Sequence, residues 1–488
     1  MSSASESIAQ RLHGELEGLI QRVSQVEGAQ PSIRETEEQL WTGMLALGRG
    51  LMQLRLDTCG AAEVRRDQIE VQGTVYDYQH QSSRAYVSLF GEVRLERGYY
   101  WSPGQGGVCP LDARLSMPAR RYSDSVQERL SEMNVWVPQD HSLALFERWL
   151  GFTIPKGSLQ NSIGQQAVYV EAYYAQHGVP ATPAQDTILV VTADGKGIPM
   201  TRQDSPPPAA RRGKGQPKTA KKEAVVTALY SVAPYIRDSQ AILAALLPDQ
   251  VSPPAPPTAR PVLSHKQTFG TLEGKPAAMN QLATQVARRR PETFAYRVAL
   301  SDGAVALQQH LLDYFPDFTL VLDIIHVTEY VWDAANARWG ETSPDRQPWV
   351  KQALTWLLTD QLDVLLHDLE TPPPELSASR QDVLAHVSAY FRRNRAFMDY
   401  QRYLGLGWPI GTGVVEGACG HLVKDRFEQS GMQWSFVGAE SLLDLRSVAF
   451  NGDWDDFQQF RRRQVHHERY HTPYPDALPD IVALEAAA

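Results

Sequence analysis

The sequence predicts an α/β protein built around a layered β-sheet, and three observations support this prediction. The segment 187–195 is a β-branched apolar run that ends in Asp194-Gly195, and the segment 294–303 is an apolar run that ends in Asp302-Gly303. A continuous apolar run of this length is typical of a strand buried on both faces of a sheet. From residue 294 onward, strand-like and helix-like segments alternate, as they do in layered α/β sheets.

Length and composition narrow the class of protein further. The chain has 488 residues, which predicts two to four domains, and its charged and apolar fractions are those of a soluble globular protein. It contains no apolar run long enough for a membrane span and no N-terminal signal peptide, so we expect a cytoplasmic protein. The three cysteines are scattered and form no CxxC pair, so neither a disulfide framework nor a cysteine zinc site is expected. The net charge of -9 argues against a generic nucleic-acid binder.

Composition and periodicity divide the chain into six segments. Helical spacing changes to strand alternation near residue 70 and back near residue 120, and a glycine-rich stretch over 405–413 leads into the Glu416 helix. The predicted segments are a helical N-terminal region (1–70), a small β module (71–120), a helical region with a candidate helix-turn-helix (121–180), the first part of a strand-rich core (181–330), a helical insertion (331–408), and a helix bearing Glu416 followed by a C-terminal tail (409–488).

Two of the N-terminal segments have both a structural and a functional interpretation. The β module contains a hairpin over 86–100 with basic and aromatic residues, which suits a structural cap and also a nucleic-acid binder. In the next segment, one helix ends at Leu150, a glycine turn follows, and another helix begins at Lys156 and runs to His177. That outline fits a DNA-binding helix-turn-helix, and many other helical pairs share it.

The second half of the chain adds strands, helices and a third carboxylate. We predict strands over 224–232 and 319–326, helices over 282–290, 304–315, 349–369 and 380–403, and a helical segment with Glu416 near its start. If the strands that end in Asp194 and Asp302 are adjacent and parallel, their carboxylates lie side by side. Two close carboxylates repel each other unless they share a proton or a cation.

Carboxylates on two strands, then a helical insertion, then a glutamate on a helix is the order of a ribonuclease-H-like nuclease core. Over roughly residues 80–470 the chain resembles the DDE-type transposases of the ISKra type, from bacterial insertion sequences. The resemblance rests on the segments 192–197, 301–303, 322–327, 410–418, 425–426 and 430–434. Its longest motif is Ile-Gly-Thr-Gly-Val-Val-Glu-Gly-Ala, at 410–418. Relatives often carry cysteines in the region matching 99–109, where this chain has only Cys109, so a zinc ribbon is not expected.

The resemblance implies an enzyme that cuts DNA at the ends of its element and joins it to a target. Its partners would be double-stranded DNA and further copies of itself, in a homodimer or a higher homo-oligomer. Two Mg²⁺ ions about 3.5–4 Å apart can activate the nucleophile and stabilise the leaving oxygen. Hard oxygen ligands suit Mg²⁺, and we expect Mn²⁺ to substitute for it. Asp194 would bridge the ions, while Asp302 and Glu416 would each hold one.

Asp323 is an alternative to Asp302 as the second metal-binding aspartate. Asp302 ends its strand in the same Asp-Gly form as Asp194, which favours it. Asp323 has His326 three residues later, and the pair matches an aspartate-or-cysteine-xx-His signature of Mutator-like relatives. We therefore predict Asp302 as the ligand, with Asp323 and His326 as a supporting pair, which could equally be a buried structural hydrogen bond. A separate zinc site formed by Asp323, His326 and Glu329 is a further alternative.

Cations near these motifs are candidates for contact with DNA. A basic loop over 201–222 follows the Asp194 strand, and its charges suit a phosphate backbone, although a solvated hairpin loop has the same composition. The predicted DNA-binding residues are Arg211, Arg212, Lys214, Lys218, Lys221, Lys222, Arg392, Arg393, Arg426 and Trp434. Two other functions remain open from the sequence: a nuclease that does not join strands, and a catalytically idle DNA-binding regulator.

Overall fold

The computed structural model describes residues 3–24, 31–204, 221–249, 251, 259–429, 431–472 and 474–475. The chain forms two compact units. One comprises Met1–Tyr173 together with Trp454–Ala488, and the other comprises Tyr174–Asp453. No helix in the described ranges is both long and apolar enough to cross a membrane.

The first unit begins with two long helices and an antiparallel sheet. The helices are α1 (Ser3–Ser24) and α2 (Ile33–Ala61), and Ser32 caps α2 in a capping box with Glu35. The sheet has the order β1-β2-β3-β4, and its long central pair is the hairpin that the alternating pattern predicts. Its strands are β1 (Gln68–Val71), β2 (Thr74–Ser88), β3 (Gly91–Ser102) and β4 (Gly106–Val108).

Five shorter helices follow the sheet. They are α3 (Pro110–Arg114), α4 (Asp124–Trp136), α5 (Gln139–Leu150), α6 (Lys156–Ala167) and α7 (Val170–Gln176). Ser123 caps α4 and Gly151 ends α5 in the left-handed conformation, as their sequence positions predict. The prediction of a single helix from Lys156 to His177 is wrong, because a turn at Val168-Tyr169 separates α6 from α7.

The second unit is built on a five-stranded mixed sheet with the order β7-β6-β5-β8-β9. The strand β5 (Ile188–Pro199) pairs antiparallel with β6 (Lys221–Val232), which pairs antiparallel with β7 (Ser264–Thr271). On its other side β5 pairs in parallel with β8 (Tyr296–Ser301), which pairs in parallel with β9 (Thr319–Leu322). The mixed α/β architecture predicted from the sequence is thus confirmed.

Helices cover both faces of this sheet. Their bounds are α8 (Ser239–Leu246), α9 (Lys275–Arg288), α10 (Val305–Tyr314), α11 (Ile324–Trp339), α12 (Arg346–Leu358), α13 (Leu362–Glu370), α14 (Ala378–Asn394) and α15 (Tyr400–Gly405). One apolar core joins the sheet to α8 and α11–α15, and a second core joins the opposite face to α9 and α10. The strand β5 is buried on both faces from Ile188 to Ala193, as its continuous apolar run predicts.

The segment after α15 carries the predicted glutamate. It consists of α16 (Gly413–Ala418), a π-helical turn (Cys419–Lys424), α17 (Asp425–Phe427) and α18 (Phe436–Phe450). A last helix, α19 (Trp454–Tyr470), belongs to the first unit, where Phe457 packs on Tyr173.

Several predicted element bounds are wrong for identifiable reasons. The strand β5 does not end at Asp194 but continues to Pro199, because its hairpin partner β6 pairs with it along that length. The predicted strand over 319–326 ends at Leu322, because Asp323 caps the helix α11. The predicted helix over 349–369 is divided into α12 and α13 at Asp360, which has a positive φ of 57°. The predicted helix over 380–403 is likewise divided, between α14 and α15.

Candidate metal centre

Strand register places three aspartates in a row at one edge of the sheet. The last parallel pair of β5 and β8 is Thr192 with Leu300, so Asp194 and Asp302 each lie two residues beyond that pair. The last pair of β8 and β9 is Ser301 with Leu322, so Asp302 and Asp323 each lie one residue further on. The adjacency and parallel direction that the Asp-Gly pattern required are therefore present.

Asp194 is partly buried within this row. Burial raises the pKa of its carboxyl group above the ordinary value, and the neighbouring charge of Asp302 adds to the rise. Hydrogen bonds from the Gly195 amide and the Cys419 thiol act in the opposite direction, as does the nearby His326. The Gly195 nitrogen lies 2.6 Å from Asp194 Oδ1. A carboxylate in these surroundings gains stability from a nearby cation.

Asp302 lies on a short turn between β8 and α10. Its Oδ1 accepts a hydrogen bond from the Ala304 nitrogen at 2.9 Å, and its carbonyl oxygen accepts one from the Tyr390 hydroxyl at 3.2 Å. Gly303 has a φ of +92°, and a Cβ at this position would lie 2.5 Å from the Tyr390 hydroxyl oxygen. The turn therefore requires glycine, and α14 holds its main chain in place.

Asp323 is fully buried and accepts hydrogen bonds on both carboxylate oxygens. Oδ1 accepts from the amides of Ile325 (3.1 Å) and Thr412 (3.3 Å), while Oδ2 lies 2.7 Å from His326 Nδ1 and 2.8 Å from Thr412 Oγ1. Burial alone would raise the pKa of Asp323, but the hydrogen bonds, with that of His326 the largest, lower it. The same hydrogen bond raises the pKa of His326 to about 9. Asp323 is thus held as a carboxylate by its protein partners alone.

Glu416 faces this pair from the first turn of α16. Its Oε1 lies 2.7 Å from Thr412 Oγ1 and 4.0 Å from His326 Nδ1. Within the described ranges, Asp323, His326 and Glu416 offer ligand atoms that all lie within 4.8 Å of one another, a spacing at which they could hold a metal ion. Glu329, the third residue of the alternative zinc site, is not part of that group.

The donor set at this edge suits a hard divalent cation. Among the described residues, those whose ligand atoms lie close enough together to hold an ion are Asp323, His326 and Glu416; Asp194 and Asp302 are not part of that group, although the charge of Asp302 acts on both Asp194 and His326. Oxygen-rich sites of this kind suit Mg²⁺ and Mn²⁺. Asp323 already accepts hydrogen bonds from His326 and Thr412, so a metal ion at this carboxylate would compete with these donors.

Three residues at this site escaped the sequence prediction. They are Thr412, which contacts both Asp323 and Glu416; Cys419, which donates to Asp194; and Tyr390, which contacts the Asp302 main chain. Thr412 lies four residues before Glu416, a spacing that puts both on one helix face and could have been noticed. The positions of Cys419 and Tyr390 depend on packing between distant segments, which no local pattern reveals.

The predicted DNA-binding residues fall into different environments. Arg211, Arg212, Lys214 and Lys218 lie outside the described residues. Lys221 forms an ion pair with Glu428 at 2.5 Å, and Lys222 lies over the Phe436 ring. Arg392 forms a bidentate pair with Glu370. Arg393 is exposed and donates to the carbonyl oxygen of Gly303 at 3.1 Å, which places a cation beside Asp302.

Two of the predicted DNA contacts are buried instead. Arg426 is completely buried, and Trp434 is only 8% exposed. Their side chains pack against each other, with the guanidinium 5.0 Å from the indole ring, and Trp434 Nε1 donates to the Phe427 carbonyl oxygen. The prediction that these two residues contact DNA is corrected, because a buried guanidinium is inaccessible to a phosphate. Their side chains instead pack together in the segment that follows the Glu416 helix.

Comparisons with known proteins reveal remote similarity. No protein-family model matches the chain. The chain is 22% identical over 383 residues to a protein of Streptococcus gallolyticus described as "UPF0236 protein in vanSb 3'region", covering 76% of this chain and 73% of that protein. Among solved structures, it is similar to the Drosophila P element transposase strand transfer complex, with 9% identity, a TM-score of 0.22 and coverage of 74% of this chain and 85% of that chain.

Proposed function

We propose that the protein is a DDE-type transposase that cleaves DNA at the ends of its element and joins it to a target. The observation that supports this most directly is the position of Asp194, Asp302 and Glu416 relative to the sheet. Asp194 and Asp302 occupy matching positions on adjacent parallel strands, and Glu416 approaches the same sheet edge from a helix. Nothing in the apolar packing requires several carboxylates at this edge, whereas phosphodiester chemistry with divalent ions does.

The topology supports a ribonuclease-H-like core. Three strands of the sheet follow one another as antiparallel neighbours, and two parallel strands extend the sheet beyond the first of them. The helices α11–α15 separate the aspartate strands from the glutamate helix in the chain. That separation matches the helical insertion expected from the resemblance to ISKra-type transposases.

In the proposed mechanism, each residue of the site has a separate task. Mg²⁺ or Mn²⁺, when bound, would activate a water or a 3′-hydroxyl and stabilise the leaving oxygen. Asp194, Asp302 and Glu416 would hold these ions. The buried Asp323 and the partly exposed His326 would orient Glu416, Asp323 through Thr412. Arg393, beside Asp302, would contact a DNA phosphate near the scissile bond.

The helices α5 and α6 of the first unit supply a candidate DNA-reading surface. They have the helix, glycine turn and helix outline, and α6 contains no acidic residue. Its exposed face carries the amides of Gln160 and Asn161 beside Gly164, where an added Cβ would meet no atom within 4 Å. Amide side chains can pair with adenine in the major groove, and a glycine permits close approach of the duplex.

The proposal is tested by replacing Asp194 with asparagine, which removes a ligand charge while keeping the volume. Asp194→Asn should abolish Mg²⁺-dependent cleavage of labelled DNA that carries the element ends, while the protein still folds and binds DNA. The exposed surface variant Asp313→Asn serves as the matched control and should cleave normally. Cleavage by Asp194→Asn within a few-fold of the wild type would refute the site. Cleaved DNA without joined products would instead identify a nuclease.

A further inference from the structure

Thr412 occupies an unusual position between two carboxylates. Its Oγ1 lies 2.8 Å from Asp323 Oδ2 and 2.7 Å from Glu416 Oε1, and the residue is only 2% exposed. A hydroxyl group carries one proton, so it can donate to only one of these two oxygens at a time. The carboxylate oxygen that does not receive this proton must accept a hydrogen bond from another donor.

The two carboxylates differ in what surrounds them. Asp323 Oδ2 also has His326 Nδ1 at 2.7 Å, whereas Glu416 is exposed and its Oε1 is 4.0 Å from the same nitrogen. Asp323 can therefore do without the threonine proton, and Glu416 benefits from it. If Glu416 turned towards a cation, the hydroxyl could rotate and donate to Asp323, so the number of hydrogen bonds would not fall.

Main-chain contacts fix the position of the threonine. The Thr412 nitrogen donates to Asp323 Oδ1 at 3.3 Å, and the Thr412 carbonyl oxygen accepts from the amides of Val415 and Glu416 at the start of α16. Next to this segment, the Ile410 carbonyl oxygen accepts from the Ile324 amide at 2.9 Å. The start of the Glu416 helix is thereby joined to the end of β9 and the start of α11.

We propose that Thr412 is a positioning residue that holds Glu416 at the metal centre before an ion binds and releases it to the ion without losing a hydrogen bond. This inference rests on the proposed function, because it assumes that Glu416 is a metal ligand. It adds a residue whose contribution is made through Glu416 and Asp323 rather than by contact with the DNA. Residues that orient ligands in this way commonly alter metal affinity by about 10–100-fold.

The test compares Thr412→Val, which keeps the shape but removes the hydroxyl, with Thr412→Ser, which keeps the hydroxyl. Mn²⁺ binding to the full-length protein would be measured by isothermal titration calorimetry, without DNA. We expect Thr412→Val to bind Mn²⁺ about 10–100-fold more weakly than the wild type, and Thr412→Ser to stay within about three-fold. The same order should hold for the Mn²⁺ concentration that gives half-maximal cleavage.

A matched control removes another buried threonine hydroxyl from the same unit. Thr268 lies on β7, the outer strand of the sheet farthest from β9. Its Oγ1 donates to Asn451 Oδ1 at 3.2 Å. Thr268→Val should lower the melting temperature but leave Mn²⁺ binding unchanged. Wild-type Mn²⁺ affinity in a folded Thr412→Val protein would overturn the inference, as would an equal loss in Thr412→Ser. Absence of Mn²⁺ binding in the wild type would instead overturn the proposed function itself.

Discussion

At the scale of single residues, Asp302 and Asp323 occupy neighbouring register positions but have different surroundings. Asp302 is partly exposed and lies beside Asp194. Asp323 is fully buried and accepts hydrogen bonds from His326, Thr412 and main-chain amides. Without a metal ion, a ligand carboxylate lowers the stability of the fold, because neighbouring carboxylates repel it. A buried carboxylate with hydrogen-bond partners raises that stability.

Thermal unfolding should therefore distinguish the two aspartates. In EDTA, Asp302→Asn should leave the protein equally or more stable, because a repulsion is removed, and should abolish the shift in melting temperature produced by Mg²⁺. Asp323→Asn should lower stability by about 1–3 kcal/mol, because buried donors lose their charged acceptor. If Asp323→Asn stabilises the metal-free protein and abolishes the Mg²⁺ shift while Asp302→Asn does neither, Asp323 is the second ligand.

The contact between His326 and Asp323 also predicts a pH dependence. The pKa of His326 is raised from 6.5 to about 9 in the folded protein. A raised pKa means that protonation favours the folded state, so this stabilisation is fully present below about pH 6.5 and is lost as the pH rises through about 9. In EDTA, the difference in melting temperature between the wild type and His326→Gln should shrink across that window. A difference that stays constant would contradict the charged pair.

At the scale of secondary-structure elements, α6 contains a partly exposed glycine that packing does not explain. Gly164 lies in the interior of the helix, and an added Cβ would meet no atom within 4 Å. Glycine in a helix interior costs about 0.5–1 kcal/mol relative to alanine. Gly164→Ala should therefore raise the stability of the protein by about that amount, as measured by urea unfolding.

The same variant tests whether α6 docks on DNA. Gly14 in α1 is the matched control, since its Cβ would also meet no atom within 4 Å. Both substitutions should stabilise the protein, but only Gly164→Ala should weaken binding to the element-end duplex. Equal DNA affinities for the two variants, measured by fluorescence anisotropy, would show that this face of α6 does not approach the duplex closely.

At the scale of the whole molecule, the first unit is assembled from both ends of the chain. Arg461 of α19 is buried and pairs with Asp124 at 3.1 Å and Glu128 at 3.0 Å, both on α4. Its Nε also donates to Gln458 Oε1, and Gln458 donates to Gln166 on α6. Residues separated by more than 300 positions thus share one polar network.

Breaking this network should destabilise the first unit selectively. Arg461→Met should cost roughly 3 kcal/mol, because it leaves Asp124 partly buried without this cation, while Glu128 keeps its contact with Arg462. Arg462→Met is the control and should cost less, because Arg462 is more exposed and its ion pair, within the described residues, is with Glu128. Differential scanning calorimetry should show a lower transition for the first unit and an unchanged one for the second. Equal shifts in both transitions would contradict this division.

Local sequence determined the elements and much of the candidate site. The runs that end at Asp194 and Asp302 predict buried strands because their apolar content is continuous. Ser123 predicts a helix start through its side-chain hydroxyl, and Gly151 predicts a helix end through its access to the left-handed conformation. The proximity of Asp194 and Asp302 followed from two similar strands on the assumption that they were parallel neighbours. Glu416, Asp323 and His326 are likewise predicted as candidate site residues from the local motifs that contain them.

Only the tertiary structure decided which of these groups touch. Asp323 became a helix cap with His326 and Thr412 as partners because β9 ends beside the start of the Glu416 helix, a contact across 89 positions of sequence. Arg426 and Trp434, polar or amphipathic in sequence, were buried against each other, whereas Arg393 was placed at the Asp302 turn. Side-chain burial and hydrogen bonding depend on segments far apart in the chain, and local periodicity carries no information about such contacts.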